Sequence, residues 1–319
     1  MNNKKVELLS PAGNLEKLKI AIKYGADAVY AGVSHFSLRI RAGKEFTFET
    51  FKEGIDYAHA RGKKVYATIN GFPFNSQIEL LKKHIATMAA LKPDGFIVAA
   101  PGVVRLCREI APEIDIHLST QANVLNYLDA QVFWDMGVKR IVVAREISLK
   151  DVIEIKKHLP DMEIEIFVHG SMCFAYSGRC LVSAVQMGRV PNRGSCANDC
   201  RFEYTLYAAN EDHSTLFRLE EEPGVGTYIF NSKDMNLASH IKEILDSGAV
   251  DSLKIEGRTK SPYYAAVTAK AYRNAIDDYY DGKFEASKYQ RELYTTKNRG
   301  FTDAYLIHRP FEKTDSQNH

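Results

Sequence analysis

Residues 95–146 read GFIVAAPGVVRLCREIAPEIDIHLSTQANVLNYLDAQVFWDMGVKRIVVARE. Three short apolar runs stand out, Gly95–Ala99, Ile114–Leu118 and Arg140–Val143, and the first two lead into Val103–Ile110 and Ala130–Met136, where apolar residues recur at helical spacing. An apolar run without alternation suits a strand buried on both faces, and the period near 3.6 that follows it is that of an amphipathic helix. The stretch therefore predicts repeating β/α units. Toward the N-terminus the same unit recurs. Val6–Leu9 precedes a helix capped by Asn14 with apolar positions 15, 18 and 22, Ala28–Tyr30 precedes Thr47–Ala60, and Lys64–Ile69 precedes Gln77–Leu91. Toward the C-terminus Arg140–Val143 leads into Leu149–Leu159, and Glu163–Val168 forms a seventh strand.

The rhythm fails between 171 and 230 and resumes with a helix predicted over Met235–Leu245, an eighth strand over Ser252–Ile255 and a helix from about Tyr263 to Tyr280. Eight strands alternating with helices predict an α/β fold, a (β/α)8 TIM-like barrel with a cysteine-rich insertion after the seventh strand. An open doubly wound sheet is the alternative, because alternation alone does not prove closure. The expected organisation is seven β/α units over 1–170, the insertion over 171–230, the last helix, strand and helix over 231–285, and a C-terminal extension over 286–319.

Apolar residues make up 45% of the chain and aromatics 11%, enough for a substantial buried core. Lys and Arg total 42 against 40 for Asp and Glu, so any basic surface for a polyanion must be local. No run of about 18 apolar residues occurs, and Met1 to Lys5 do not open a signal peptide, so a cytoplasmic protein that neither spans nor binds a membrane is expected. No GxGxxG or P-loop supports a nucleotide cofactor.

A barrel carries its chemistry on the loops after the C-terminal ends of its strands. Those exits hold Ser10, Tyr30, Asn70, Pro101, Ser119 with Gln121, Arg145 with Glu146, His169, and Lys254 with Glu256 and Arg258. Strands commonly end in polar residues, but the cations Arg145, His169, Lys254 and Arg258 in one mouth would suit an anionic ligand.

Cys173, Cys180, Cys196 and Cys200 are spaced C-x6-C-x15-C-x3-C, while the rest of the chain holds only Cys107, on the apolar side of a helix. Disulfides fit poorly without an export signal, and coincidence fits such density poorly, which leaves a thiolate-bound metal. Structural zinc usually uses two tight C-x2–4-C knuckles and only one is present, so an iron–sulfur cluster is favoured and zinc is the alternative. Arg179, Arg189, Arg193 and Arg201 surround the thiols, with Asp199 the only acid between 173 and 201, a field that would offset thiolate charge. Solvated loop arginines are the plainer reading of the same residues.

Glu165-Ile-Phe-Val-His169-Gly-Ser-Met-Cys173-Phe-Ala-Tyr-Ser-Gly-Arg-Cys180-Leu-Val-Ser183 resembles the signature of the collagenase-like peptidases, family U-32. Leu9-Ser-Pro-Ala-Gly13, Gly25–Tyr30, Ser119-Thr-Gln-Ala122, Asn231-Ser-Lys-Asp234, Lys254-Ile-Glu-Gly-Arg258 and Asn298-Arg-Gly-Phe-Thr302 resemble further blocks of that family, so the likeness covers nearly the whole chain. Within it the chain is most similar to the branch that hydroxylates the wobble uridine of tRNA. The resemblance implies a [4Fe-4S] cluster on four cysteines and oxygen-independent chemistry with prephenate as the hydroxyl source. Some relatives take the fourth ligand from a cysteine after the Asn-Ser-Lys-Asp block, where Asn236 stands here, so Cys200 is offered instead. Longer members carry a C-terminal β-rich domain that these 319 residues do not include.

On this reading Cys173, Cys180, Cys196 and Cys200 hold the cluster. Arg145, Arg258 and one of Arg39 and Arg41 receive carboxylates, with Lys254, Gln121 and Asn70 completing the substrate site. His169 or Glu256 moves a proton, His169 being equally able to donate to a cluster sulfur. A basic rim over Arg179–Arg201 and Lys254–Lys260, with Tyr176 for stacking, would meet tRNA. The expected partners are thus tRNA and a small-molecule carboxylate, with the oligomeric state open. Two other functions stand beside this one, a collagenase-like peptidase and a non-catalytic binding or maturation factor. The peptidase lacks an H-E-x-x-H motif, and only Cys173 with His169 could imitate a nucleophile and base.

Overall fold

The computed structural model describes residues 5–33, 36–38, 46–173, 175–202, 204–209, 216–218 and 233–307. Its strands are β1 (Glu7–Pro11), β2 (Ala28–Ala31), β3 (Lys64–Ile69), β4 (Gly95–Val98), β5 (Asp115–Leu118), β6 (Arg140–Val142), β7 (Glu163–Ser171), β8 (Tyr207–Ala209), β9 (Leu216–Arg218), β10 (Asp234–Asn236), β11 (Ser252–Ile255) and β12 (Phe301–Thr302). Its helices are α1 (Leu15–Lys23), α2 (Phe48–His59), α3 (Ile78–Ala90), α4 (Pro101–Ile110), α5 (Tyr127–Asp135), α6 (Leu149–His158), α7 (Val182–Met187), α8 (Ile241–Asp246), α9 (Pro262–Tyr280), α10 (Gln290–Leu293) and α11 (Ala304–Ile307).

Strands β1 to β7 pair in sequence order, all parallel, and β11 pairs with both β1 and β7. The sheet therefore closes into the eight-stranded barrel, and the open sheet is excluded. Local chemistry starts the helices where the barrel needs them. Asn14 caps α1 by accepting from the Lys17 N–H at 2.9 Å, and Ser148 with Asp151 forms a capping box on α6. Ser261 caps α9 ahead of Pro262, whose missing N–H costs nothing at a first helical position. Helix α9 then buries Tyr264, Thr268, Tyr272 and Ile276. One large apolar core lies between strands and helices, and a separate small cluster of Leu9, Ala28, Tyr30, Tyr66 and Ile97 fills part of the lumen.

Two segments differ from the expectation. Residues 235–245 are not one helix: β10 pairs antiparallel with the end of β7, and α8 begins only at Ile241. The Asp234 carboxylate is held by Arg299 at 2.6 Å, the Leu237 N–H donates to the Tyr272 hydroxyl at 3.1 Å, and β12 pairs with β10. These distant partners override the local helical spacing. Strand β7 also runs past Val168 to Ser171, because β10 extends its pairing beyond the barrel. Its register against β11 slips at Val168, so that Lys254 faces Phe167 and Ile255 faces His169. Such a bulge turns the following side chains to the other face. Gly170 follows at φ +112°, where an added Cβ would lie 2.5 Å from the Glu256 carbonyl oxygen.

Candidate active site

The barrel mouth opens into a cavity of about 140 Å³ whose lining includes Asn70, Gln121, Arg145, Lys254, Glu256 and Arg258. Cys173, Cys196 and Cys200 line the same cavity. The structure thus brings together six of the seven non-cysteine residues expected in the site. His169 is the exception, since the Val168 bulge turns its ring away into a cage of Tyr264, Tyr272 and Phe301, with centroids 5.8, 5.6 and 5.5 Å away. Burial pushes its imidazole down to about 3, so it is neutral at ordinary pH. Ser10 is buried and outside this lining as well. Arg39 and Arg41 lie outside the described residues.

Lys254 forms the floor rather than the rim. Its ammonium is buried, bonded to Glu165 Oε1 at 2.7 Å and 4.5 Å from the centre of the Tyr30 ring. Burial lowers its pKa while the Glu165 charge opposes that shift. Glu165 is itself fully buried, which would raise its pKa, but Lys254 and Arg140 outweigh burial and hold it below the usual carboxylate range. Arg140 in turn bonds Glu7, Glu163 and Glu165 at 2.5, 2.6 and 3.1 Å, and Tyr66 donates to Glu7 at 2.7 Å. The lumen therefore holds a continuous charged network ending upward in Lys254. A buried pair of this kind fixes geometry more than it stabilises, and removing one partner leaves the other charge stranded.

Arg145 stacks its guanidinium 4.0 Å from the Phe167 ring centre, and among the described residues that guanidinium makes no hydrogen bond or ion pair. Gln121 accepts from the Ser119 hydroxyl at 3.0 Å, while its buried Nε2 has no partner among the described residues. Both present donors to the cavity. Arg258 differs, since Nη1 donates to Ser37 Oγ at 2.8 Å and Thr68 Oγ1 at 3.0 Å and Nη2 donates to the Leu38 carbonyl. Asn70 Oδ1 accepts from the Leu38 N–H at 3.1 Å. Those two side chains hold the 36–38 segment. Half-buried Glu256 receives the Ser171 N–H at 3.4 Å.

The four cysteines are free thiols, all half-buried, and together line a second cavity of about 80 Å³ with Pro191, Ser183 and Asp199. The Val182 N–H donates to the Cys180 sulfur at 3.3 Å and the Asn198 N–H to the Cys196 sulfur at 3.4 Å. Such donors stabilise bound thiolate. Cys180 and Cys200 have raised pKa values, chiefly from burial, with Cys173 and Cys196 adding to the shift in each. Asn236, by contrast, accepts from the Ala238 N–H at 3.1 Å and from the Tyr272 hydroxyl at 3.3 Å, away from both cavities. The set Cys173, Cys180, Cys196 and Cys200 is therefore the one the fold gathers. Among the described residues no three His, Cys, Asp or Glu side chains close on a single ion-sized point. Four thiolates are a donor set that suits zinc and an iron–sulfur cluster alike. The donor chemistry fits, and Cys107 is buried elsewhere in the core.

Sequence reasoning missed Glu165 and Arg140, although charged residues within strands that must be buried on both faces are a readable signal. It also missed the tie between the β6 exit and the cysteine segment. Glu146 accepts from the Ser177 N–H at 2.8 Å and from the Ser177 hydroxyl, and that hydroxyl receives the Arg145 N–H at 3.2 Å. The basic rim is reduced, because Lys254 and Arg258 are buried, while Tyr176 is 47% exposed.

Comparison with known proteins places the chain in a family. The chain is 72% identical over 314 residues to tRNA hydroxylation protein P of Helicobacter pylori (strain ATCC 700392 / 26695), covering 98% of this chain and 74% of that protein. It is 42% identical over 339 residues to tRNA hydroxylation protein P of Escherichia coli (strain K12), covering 95% and 74%. The solved structure of the U32 peptidase Mk0906 superposes with a TM-score of 0.51 at 17% identity, over 81% of this chain and 95% of that one, which supports the barrel fold. The profile of peptidase family U32 matches residues 13–316, and the chain belongs to that family.

Proposed function

We propose that this chain is an RNA hydroxylase acting on the wobble uridine of tRNA, with prephenate as hydroxyl source and a [4Fe-4S] cluster on Cys173, Cys180, Cys196 and Cys200. The observation that carries the reading is that three of the four thiols line the same cavity as Arg145, Lys254 and Gln121. A group bound by those sulfurs would face whatever anion the cations hold. The names of the relatives, tRNA hydroxylation protein P, support RNA as the substrate class.

When bound, the cluster would supply one-electron chemistry beside the pocket without requiring oxygen. The chain's own residues do the rest. Arg145, held against Phe167, offers a planar fork suited to one carboxylate of prephenate. Lys254 and the unpartnered Gln121 Nε2 suit the other. Glu256 is the carboxylate of the described lining and is suited to hold or move a proton, since His169 is turned away and neutral. Tyr176 is exposed beside the mouth and suits stacking of an unpaired base.

The family's peptidase name gives a second reading, with less geometry behind it. Among the described residues no histidine lines either cavity with Cys173, and His169 packs among aromatics outside the lining, so the imidazole a thiol nucleophile needs is not offered there. A binding or maturation factor is the third. No described helix is long and apolar enough to cross a membrane.

Mass spectrometry of bulk tRNA nucleosides from a deletion strain, complemented with wild type or Arg145→Gln, tests the proposal. The expected result is loss of 5-hydroxyuridine derivatives, restored by wild type and not by the variant. Unchanged nucleosides with a new proteolysis defect would support the peptidase, and unchanged nucleosides without one the binding factor.

A further inference from the structure

Arg201 directly follows Cys200 and belongs to the lining of the barrel-mouth cavity, the same lining as Arg145. Burial raises the Cys200 pKa and the Arg201 charge opposes that rise, so one role of Arg201 is toward the thiol. Its surroundings point to another. Its Nε is buried without a hydrogen-bond partner, and among the described residues its guanidinium makes no hydrogen bond, ion pair or ring contact. Of the four basic side chains in the mouth, Lys254 is engaged by Glu165 at 2.7 Å and Arg258 by Ser37, Thr68 and Leu38. Arg145 and Arg201 are therefore two guanidiniums without a charge partner in one cavity of about 140 Å³, where Glu256 is the one described carboxylate. Half-buried charge left uncompensated is costly, and an anion would relieve it. The two sit on different supports. Arg145 stands at the β6 exit, stacked on Phe167, whereas Arg201 ends the short turn Asp199–Arg201. That turn is firmly held: the Ser183 hydroxyl donates to the buried Asp199 carboxylate, the Tyr204 hydroxyl donates to the Asp199 carbonyl at 2.9 Å, and the Arg201 N–H donates to the Asn198 carbonyl at 2.9 Å.

We propose that Arg201 is a substrate-binding residue of the mouth, so that the site takes a dicarboxylate held at once by the barrel, through Arg145, and by the turn that carries Cys200. Each planar fork matches one carboxylate bidentately. Arg201 joins Lys254 and Gln121 in holding the second carboxylate, and a ligand with a single carboxylate leaves one guanidinium uncompensated. Because Cys200 and Arg201 share one turn, the contact that seats the ligand also sets its place beside the thiols. The inference deepens the proposed function and rests on its reading of the mouth as a carboxylate site, yet its test requires neither RNA nor turnover.

The full chain, purified under nitrogen with its metal content measured, is titrated calorimetrically with prephenate and with the monocarboxylate phenylpyruvate. Arg201→Gln and Arg145→Gln should each weaken prephenate binding about tenfold or more, and Arg201→Lys, which keeps the charge and loses the fork, should recover part of the loss. Phenylpyruvate, with one carboxylate to hold, should respond that strongly to only one of the two glutamine variants. Prephenate affinity within about twofold of wild type in Arg201→Gln overturns the assignment. A strong response of phenylpyruvate to both variants overturns it too, because both guanidiniums would then serve one carboxylate. If Arg201→Gln is isolated without its metal, chelator-stripped wild type is the reference, and equal prephenate affinity of the two means that Arg201 acts through the thiols alone, which also overturns the assignment. Wild type that binds neither acid removes the carboxylate reading beneath it, whereas loss of the RNA reading alone leaves these affinities standing.

Discussion

His169 lies just past the β7 bulge, enclosed by Tyr264, Tyr272 and Phe301, with its pKa pushed down to about 3 by burial first and by Lys260 second, Glu256 opposing. In the unfolded chain the same imidazole takes up its proton near pH 6.5. Between those values only the unfolded state binds it, so the contribution is complete above pH 6.5 and is lost as pH falls toward 3. Denaturant titrations at pH 7, 6, 5 and 4 should show a loss in wild type that His169→Gln reduces by up to about 1.4 kcal/mol per pH unit; parallel curves would refute it. At this scale the sequence was half legible. Strand-exit position located Arg145, Lys254 and Gln121 in the pocket. It could not reveal that Arg258 is engaged by Ser37, Leu38 and Thr68, which are remote in sequence, nor that one bulged residue turns His169 away.

Among the elements, β7 carries the most. It closes the barrel against β11, continues past Val168 to receive β10, and passes through Gly170 at φ +112° against Glu256. A Cβ there meets the Glu256 carbonyl oxygen at 2.5 Å, backbone that cannot swing aside. Gly170→Ala should cost on the order of 3 kcal/mol from strain and overlap together, and should displace Glu256 from the pocket. Thermal melts read the first effect; a wild-type melting temperature would contradict it. The eight barrel strands were legible because burial on both faces leaves apolar runs. Strand β10 was not, because Asp234-Met-Asn236 is short and polar and owes its conformation to Arg299, Tyr272 and β12.

For the whole molecule, the thiols belong to a segment with little regular structure of its own, tied to the barrel through Glu146 and Ser177 and through Arg193, which bonds Gln77 at 2.9 Å and covers Phe74. The density of cysteines and their start at the exit of the seventh strand made the set and its place at the barrel mouth readable from sequence, whereas the ties that fix it there, between residues remote in the chain, were not. Serine at any one of Cys173, Cys180, Cys196 or Cys200 should lower iron content of anaerobically purified protein more than about tenfold, while Cys107→Ala should retain it at a cost of about 1 kcal/mol. Iron and sulfide analysis decides this, and equal iron in all five variants would remove the site. The seam between β7 and β11 joins segments more than eighty residues apart in the chain. At ribosomal rates their synthesis is separated by on the order of 10 s. Until β11 is made, the β1 and β7 edges lack the strand that joins them, and an unpaired edge is prone to pair with another chain. Completion of the chain is therefore what removes both open edges at once, since the single strand β11 pairs with β1 and with β7.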